Sequence, residues 1–325
     1  MFSDPAEERA PRRLSLFEAN GLFFLAVAGL FGVGFIEGPL VDLLKALIPG
    51  IGGEALLLAV HAAYYVLFMF GPAALMLRRK GAWESARVKP ISAGRMLAVA
   101  AVSLLGALVA LQLAALWELL LEALRIPVPG VPLAIPGTTA GMAAAVLSYA
   151  VLPGVCEEFV FRGAILGAYE RKGTKRAIAA AAVLFSLVHG SIDGLPTQLM
   201  LGAIMGFLAF ACDSIYAPIA YHTVHNAALL FLGALAERLP RQAAEGRTLF
   251  EQVGGLSGVL QTAAYAAVLG TALLFALGAF NRRRIARGVA AAPKRRAPMT
   301  GGARALLIAA LLLTAVLYAL STMAA

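Results

Sequence analysis

Residues 139–167 read TAGMAAAVLSYAVLPGVCEEFVFRGAILG. The run exceeds the roughly 20 apolar residues that cross a bilayer as a helix. It is long and unbroken rather than alternating, which argues for a helix and against a barrel strand. Yet it holds two adjacent acids, Glu157 and Glu158, and a base, Arg162. Ionisable groups at membrane depth are costly, so they mark either function or obligatory pairing.

Eight further apolar segments flank this one, at 21–36, 55–76, 96–117, 176–190, 197–212, 215–235, 257–280 and 304–323. The first is short and could continue through Pro39 to Ile48 as a tilted or interfacial piece. The chain is 61% hydrophobic and only 14% charged, where soluble domains carry about 25% charged residues. The expected fold is therefore all-α, a polytopic transmembrane helical bundle of about nine spans. The longest non-apolar stretch, Ala236 to Gly255, is too short to bury a core of its own. Three parts are expected: N-terminal transmembrane helices over 1–137, a core carrying the polar residues over 138–236, and C-terminal transmembrane helices over 237–325. No cleavable signal peptide is expected, because Met1 to Arg13 is polar and charged.

The net charge of +9 does not call for nucleic acid. Lys and Arg fall between the apolar runs, as cytoplasmic loops require. With a cytoplasmic N-terminus, 21 of the 27 basic residues lie in inside segments and four (Arg125, Arg238, Arg241, Arg247) in outside loops. That bias predicts N-in, C-out. The Arg282–Arg304 loop reads first as a topology anchor, with contact to anionic lipid as the alternative. Two cysteines, Cys156 and Cys212, in or beside apolar segments imply no disulfide framework.

Helical geometry brings particular polar residues together. Glu157 and His189 are almost equidistant from the basic turn Arg171–Arg176. In an antiparallel hairpin both would lie about 20 Å from that turn, facing each other. Glu158 and Arg162 are i and i+4, with the acid first, so they can pair on one face. Glu157 is rotated by about 100° and should point elsewhere. Phe185 and His189 share the i, i+4 spacing, and so do His222 and Asn226. Such a set can hydrolyse an amide. Glu157 would take a proton from water, with His189 orienting that water. His222 and Asn226 would donate to the oxyanion. Phe185 reads as a packing wall, and Arg162 as a structural counter-ion. His225 is secondary, and His61 reads as a structural hydrogen-bonding residue in a plain span.

Glu157-Glu158-x-x-x-Arg162, Phe185-x-x-x-His189 and His222-x-x-x-Asn226 resemble, in order, the three motifs of the CPBP family, the CAAX proteases and bacteriocin-processing enzymes. The resemblance covers about residues 140–235. It implies a CAAX-protease-like core and an intramembrane endopeptidase of the glutamate type, similar to type II CAAX prenyl endopeptidase. Glu157 and His189 would activate water, His222 and Asn226 would form the oxyanion hole, and Glu158 and Arg162 would support them. No cofactor is implied.

Other classes stay open at this point. Glu157, His189 and His222 could hold zinc as a membrane protease, although no His-Glu-x-x-His helix is present. Buried Glu and His could relay protons in a transporter, but paired halves with matching broken helices are not evident. A non-enzymatic partner-binding or immunity protein is the third alternative. As an enzyme, the chain would act on a membrane-associated protein or peptide. The alanine-rich composition suggests a GC-rich bacterial genome, so the expected location is a bacterial cytoplasmic (inner) membrane. A prenylated CAAX peptide is then no more obvious a substrate than a C-terminal sorting tail or a secreted peptide.

Overall fold

The computed structural model describes residues 11–48, 52–127, 138–237, 247–288 and 298–323. Arg9, Arg238, Arg241, the start at Met1 and residues 289–297 of the basic loop lie outside the described residues. Among the described residues nine long helices follow in order: α1 (Leu16–Leu47), α2 (Leu56–Arg79), α3 (Ala93–Ala123), α4 (Thr139–Lys172), α5 (Thr174–Val188), α6 (Leu195–Cys212), α7 (Tyr216–Glu237), α8 (Gly255–Ala286) and α9 (Gly301–Met323). A single turn, Leu249–Gln252, precedes α8. No strand occurs among the described residues. The chain is an all-α, multi-pass membrane protein.

Eight of these helices are long and apolar enough to cross a membrane. The sequence predicts about nine. The difference is α5, which has 15 residues and rises only about 22 Å. Its apolar segment was expected over 176–190, but the helix ends at Val188, where the chain turns through Gly190 at φ +66°. The first segment is longer than its apolar run suggested. Ser15 caps α1 in a capping box with Glu18, and the helix continues through Pro39 to Leu47. The extension through Pro39 that the sequence allows is present as one continuous helix, Pro39 costing it a single backbone hydrogen bond.

The bundle is organised around α4. It packs against α1, α2, α5 and α7, while α6 lies along α5 and α3 lies between α7 and α8. The outermost helix on the other side, α9, lies along α1. Val160, Phe161, Ala164, Ile165, Leu166 and Ala168 are buried, so the second half of α4 is enclosed on all sides. By contrast α8 presents Leu256, Leu260, Val268, Leu274 and Phe275 outward, as a lipid-facing helix should.

Lipid tails are as apolar as leucine, so close backbone approach has to hold such helices together. Glycine supplies it. A Cβ on Gly154 of α4 would stand 2.3 Å from Thr223 Oγ1 of α7. One on Gly202 of α6 would stand 2.8 Å from Cα of Ala182 in α5. Gly206, one turn on, meets Ile178. These contacts set how near α7 and α6 come to the acids of α4.

Three stretches within α2 and α4 are wound as π-helix: Tyr65–Phe70, Leu147–Val151 and Phe159–Ile165. Two of them end beside a proline, Pro72 or Pro153. A proline has no N–H to give the carbonyl four residues back, and a widened turn accommodates the loss.

One end of the bundle is closed by charge. Glu170, buried at the end of α4, pairs with Arg13 before α1 and with Arg87 between α2 and α3. Asp213, in the α6–α7 link, pairs with Lys89 at 2.7 Å. The residues joined come from the segment before α1, the α2–α3 link, the end of α4 and the α6–α7 link, so the α2–α3 loop is tied down rather than free.

Gly202→Ala should lower the thermal unfolding temperature of the detergent-solubilised protein, at a cost of about 1–3 kcal/mol. The methyl would meet backbone that cannot step aside. Gly32→Ala, in α1 with open space around it, should unfold at the wild-type temperature in the same melt.

Candidate active site

Between α2, α3, α4, α5, α6 and α7 lies a cavity of about 450 Å³. Glu157, Phe185, His189, His222 and Asn226 all line it. Glu158 and Arg162 do not; they stand behind its wall. The cavity therefore separates the two adjacent glutamates, one facing the space and one facing protein.

Glu158 is fully buried, and its Oε1 accepts two hydrogen bonds. Arg162 Nη1 donates at 2.6 Å, one helical turn along, and His222 Nδ1 donates at 3.0 Å from α7. Arg162 is equally buried. Its Nη2 donates to the carbonyl of Gly202 at 3.1 Å, and its guanidinium sits 4.5 Å from the centre of the Phe185 ring. The same ring stands edge-on to His189 (5.0 Å) and His222 (5.6 Å). Phe185 thus touches the base and both imidazoles and fixes their planes. The close α5–α6 approach at Gly202 places the carbonyl that Arg162 needs.

The imidazoles are oriented by the same logic. Carbonyl and carboxylate oxygens can only accept here, so each facing Nδ1 carries the proton. His189 Nδ1 donates to the carbonyl of Phe185 at 2.8 Å. His222 Nδ1 donates to Glu158. Both rings then have Nε2 left for other partners.

Asn226 is held by a consequence of Pro153. That proline cannot donate to the carbonyl of Tyr149, four residues earlier, and Asn226 Nδ2 donates to it instead, at 3.0 Å. The amide has two N–H bonds, so one remains.

Glu157 is held more lightly. Its Oε1 accepts the hydroxyl of Tyr65 at 3.1 Å, and its Oε2 is buried without a hydrogen-bond partner.

Several lining residues were not singled out from sequence: Tyr65, Tyr149, Thr197 and Gln198. His61 and His225, read as structural and secondary, line the cavity as well. Every histidine of a chain that has four therefore borders one space. His61 was expected to make a hydrogen bond, but its Nδ1 has no partner, and its ring lies against Tyr65 (5.0 Å) and Tyr149 (5.4 Å). The i, i+4 spacing of His61 and Tyr65 was a usable signal, the same one that marks Glu158 with Arg162.

Among the described residues, no group of three or more His, Cys, Asp or Glu side chains is placed to hold a metal ion. Glu158 occupies one nitrogen of His222 and Phe185 one of His189.

The family model described as type II CAAX prenyl endopeptidase, Rce1-like, matches residues 139–228. That stretch is similar to the CAAX-protease family. It runs from the start of α4 to within α7 and contains all seven motif residues, so the resemblance drawn from the motifs holds. The likeness supports a CAAX-type intramembrane protease function. No curated protein and no solved structure matches the chain.

Arg162→Ala should lower both yield and unfolding temperature, by about 3–5 kcal/mol, because it strands Glu158 as a buried charge. Arg162→Lys should recover only part, since lysine cannot bond Glu158 and the Gly202 carbonyl in one plane. Membrane yield and thermal melts of the two variants check this.

Proposed function

We propose that this protein is a glutamate-type intramembrane endopeptidase, with Glu157 as the base that activates water. The observation that carries the reading is the unequal treatment of the two acids. Each acid keeps one buried Oε2 without a partner, but Glu158 is bonded by the cationic Arg162 and by His222 behind the cavity wall, whereas Glu157 has the neutral Tyr65 hydroxyl and lines the cavity with His189, His222 and Asn226.

Water enters the cavity and is bound by Glu157 Oε2 and by the lone pair on His189 Nε2. Glu157 takes its proton as the oxygen attacks the carbonyl carbon of the substrate. The second N–H of Asn226 donates to the oxyanion. His222 donates from Nε2 when it carries a second proton, and Glu158 balances that charge through Nδ1. The proton on Glu157 then passes to the leaving amine. Every step uses a group whose other bonding position is already fixed by the protein, so little reorganisation is needed. Arg162 and Phe185 support the site without touching substrate.

The substrate is proposed to be a membrane-associated protein or peptide in a bacterial inner membrane, with α5 completing a short ninth crossing, so that the N-terminus of the enzyme is cytoplasmic and its C-terminus outside. No metal takes part. A transporter would not need two oxyanion donors opposite a base.

Glu157→Gln keeps shape and removes the base. It should abolish cleavage, by at least about 100-fold, with an unchanged melt. Membrane proteomes of a deletion strain complemented with wild type or with Glu157→Gln test this. The same uncleaved proteins should accumulate with the variant as with no gene. A strong chelator should leave wild-type turnover unchanged. Processing restored by Glu157→Gln would overturn the role of the base.

A further inference from the structure

We propose that Tyr65, on a helix outside the stretch that matches the family, is the positioning residue for Glu157. Its phenol holds Oε1 so that Oε2 is presented to the reacting water. The inference rests on the reading of Glu157 as the base and adds to it a residue no motif contains.

Four observations carry it. The Tyr65 hydroxyl and Glu157 Oε1 are 3.1 Å apart, with both residues buried. Glu157 Oε2 is also buried yet has no partner, so the held oxygen and the unheld oxygen differ within one carboxylate. The nearby guanidinium turns both terminal nitrogens elsewhere, Arg162 Nη1 to Glu158 and Nη2 to the Gly202 carbonyl, and makes no hydrogen bond to Glu157. Finally, the backbone of α2 is wound as a π-turn from Tyr65 onward, with the Gly71 N–H bonded to the carbonyl of Val66. At the entry to that turn the adjacent tyrosines part: Tyr64 donates to the carbonyl of Ala26 in α1, and Tyr65 to α4.

The chemistry gives the arrangement its purpose. A carboxylate at the end of a glutamate turns about its last bond and, unheld, presents either oxygen in many directions. One donor fixes its plane. A cationic donor would also cancel the charge, as Arg162 does for Glu158. A phenol is neutral, so it fixes Glu157 and leaves the negative charge for the proton of water. His61, edge-on to the Tyr65 ring at 5.0 Å, keeps that ring from swinging out of line.

The test compares Tyr65→Phe, Tyr64→Phe and Glu157→Gln in liposomes with an internally quenched fluorescent peptide that the wild-type protein cleaves. Tyr65→Phe should lower kcat by about 10–100-fold with KM and the melt unchanged, and Tyr64→Phe should match wild type. Tyr65→Ala should regain turnover with added phenol but not with benzene. A reading without substrate comes from infrared difference spectra taken against Glu157→Gln, in which the Glu157 carboxylate band should shift in Tyr65→Phe. Wild-type kcat and an unmoved band in Tyr65→Phe would overturn the inference. So would a kcat loss matched by an equal fall in melting temperature, which marks packing alone. If Glu157→Gln is inactive in those cases, the proposed function survives. If Glu157→Gln cleaves, both fall together.

Discussion

A single oxygen, Glu158 Oε1, ties the centre of this bundle together. It takes hydrogen bonds from α4 itself, through Arg162, and from α7, through His222. Lipid offers no water to satisfy a polar group, so an acid at this depth must find donors inside the protein. Meeting that demand draws α7 against α4, and Gly154 removes the side chain that would keep them apart. Arg162 then needs a second acceptor, and finds it in the Gly202 carbonyl of α6. The contacts among α4, α6 and α7 follow from one buried charge and the partners it requires.

The backbone irregularities belong to the same account. Pro153 has no N–H to offer the carbonyl of Tyr149, and Asn226 donates to that carbonyl from another helix. A defect in one span becomes an anchor for a side chain in its neighbour. The π-turn in α2 acts similarly by sending Tyr64 and Tyr65 to different helices. Wide turns of this kind re-aim side chains at small cost, which is why they gather near functional sites.

Much of the core was legible in the sequence because helices have a fixed period. The i, i+4 spacing places Arg162 against Glu158 whatever the rest of the chain does. The common level of Glu157 and His189 was readable as an expectation from span order and depth, whereas the short Asp213-Ser214 link and Pro218 left the depth of His222 and Asn226 to the motif resemblance. The share of α2 was not readable. Tyr65 and His61 stand in a run whose composition resembles any other span, and only the three-dimensional path of α2 brings them to Glu157. The length of α5 was equally hidden, since Gly190 ends the helix while the apolar run continues to it. Hydropathy measures solubility in lipid, not where a backbone turns. The second donor to Glu158 was missed for a related reason: sequence spacing sees within a helix and is blind across a pair of them.

The brevity of α5 bears on where a backbone can turn inside a hydrocarbon layer. At about 22 Å this helix falls some 8 Å short of a hydrocarbon slab about 30 Å thick. Its exit turn is stitched by polar bonds: Trp117 donates its indole N–H to the carbonyl of Ile192, and Ser186 donates to that of Leu195. Non-helical backbone at membrane depth is tolerated where protein covers it, and Leu30 of α1 and Leu317 of α9 lie against Gly190 in that turn. The short helix thus ends within the bundle, beside the cavity that His189 lines.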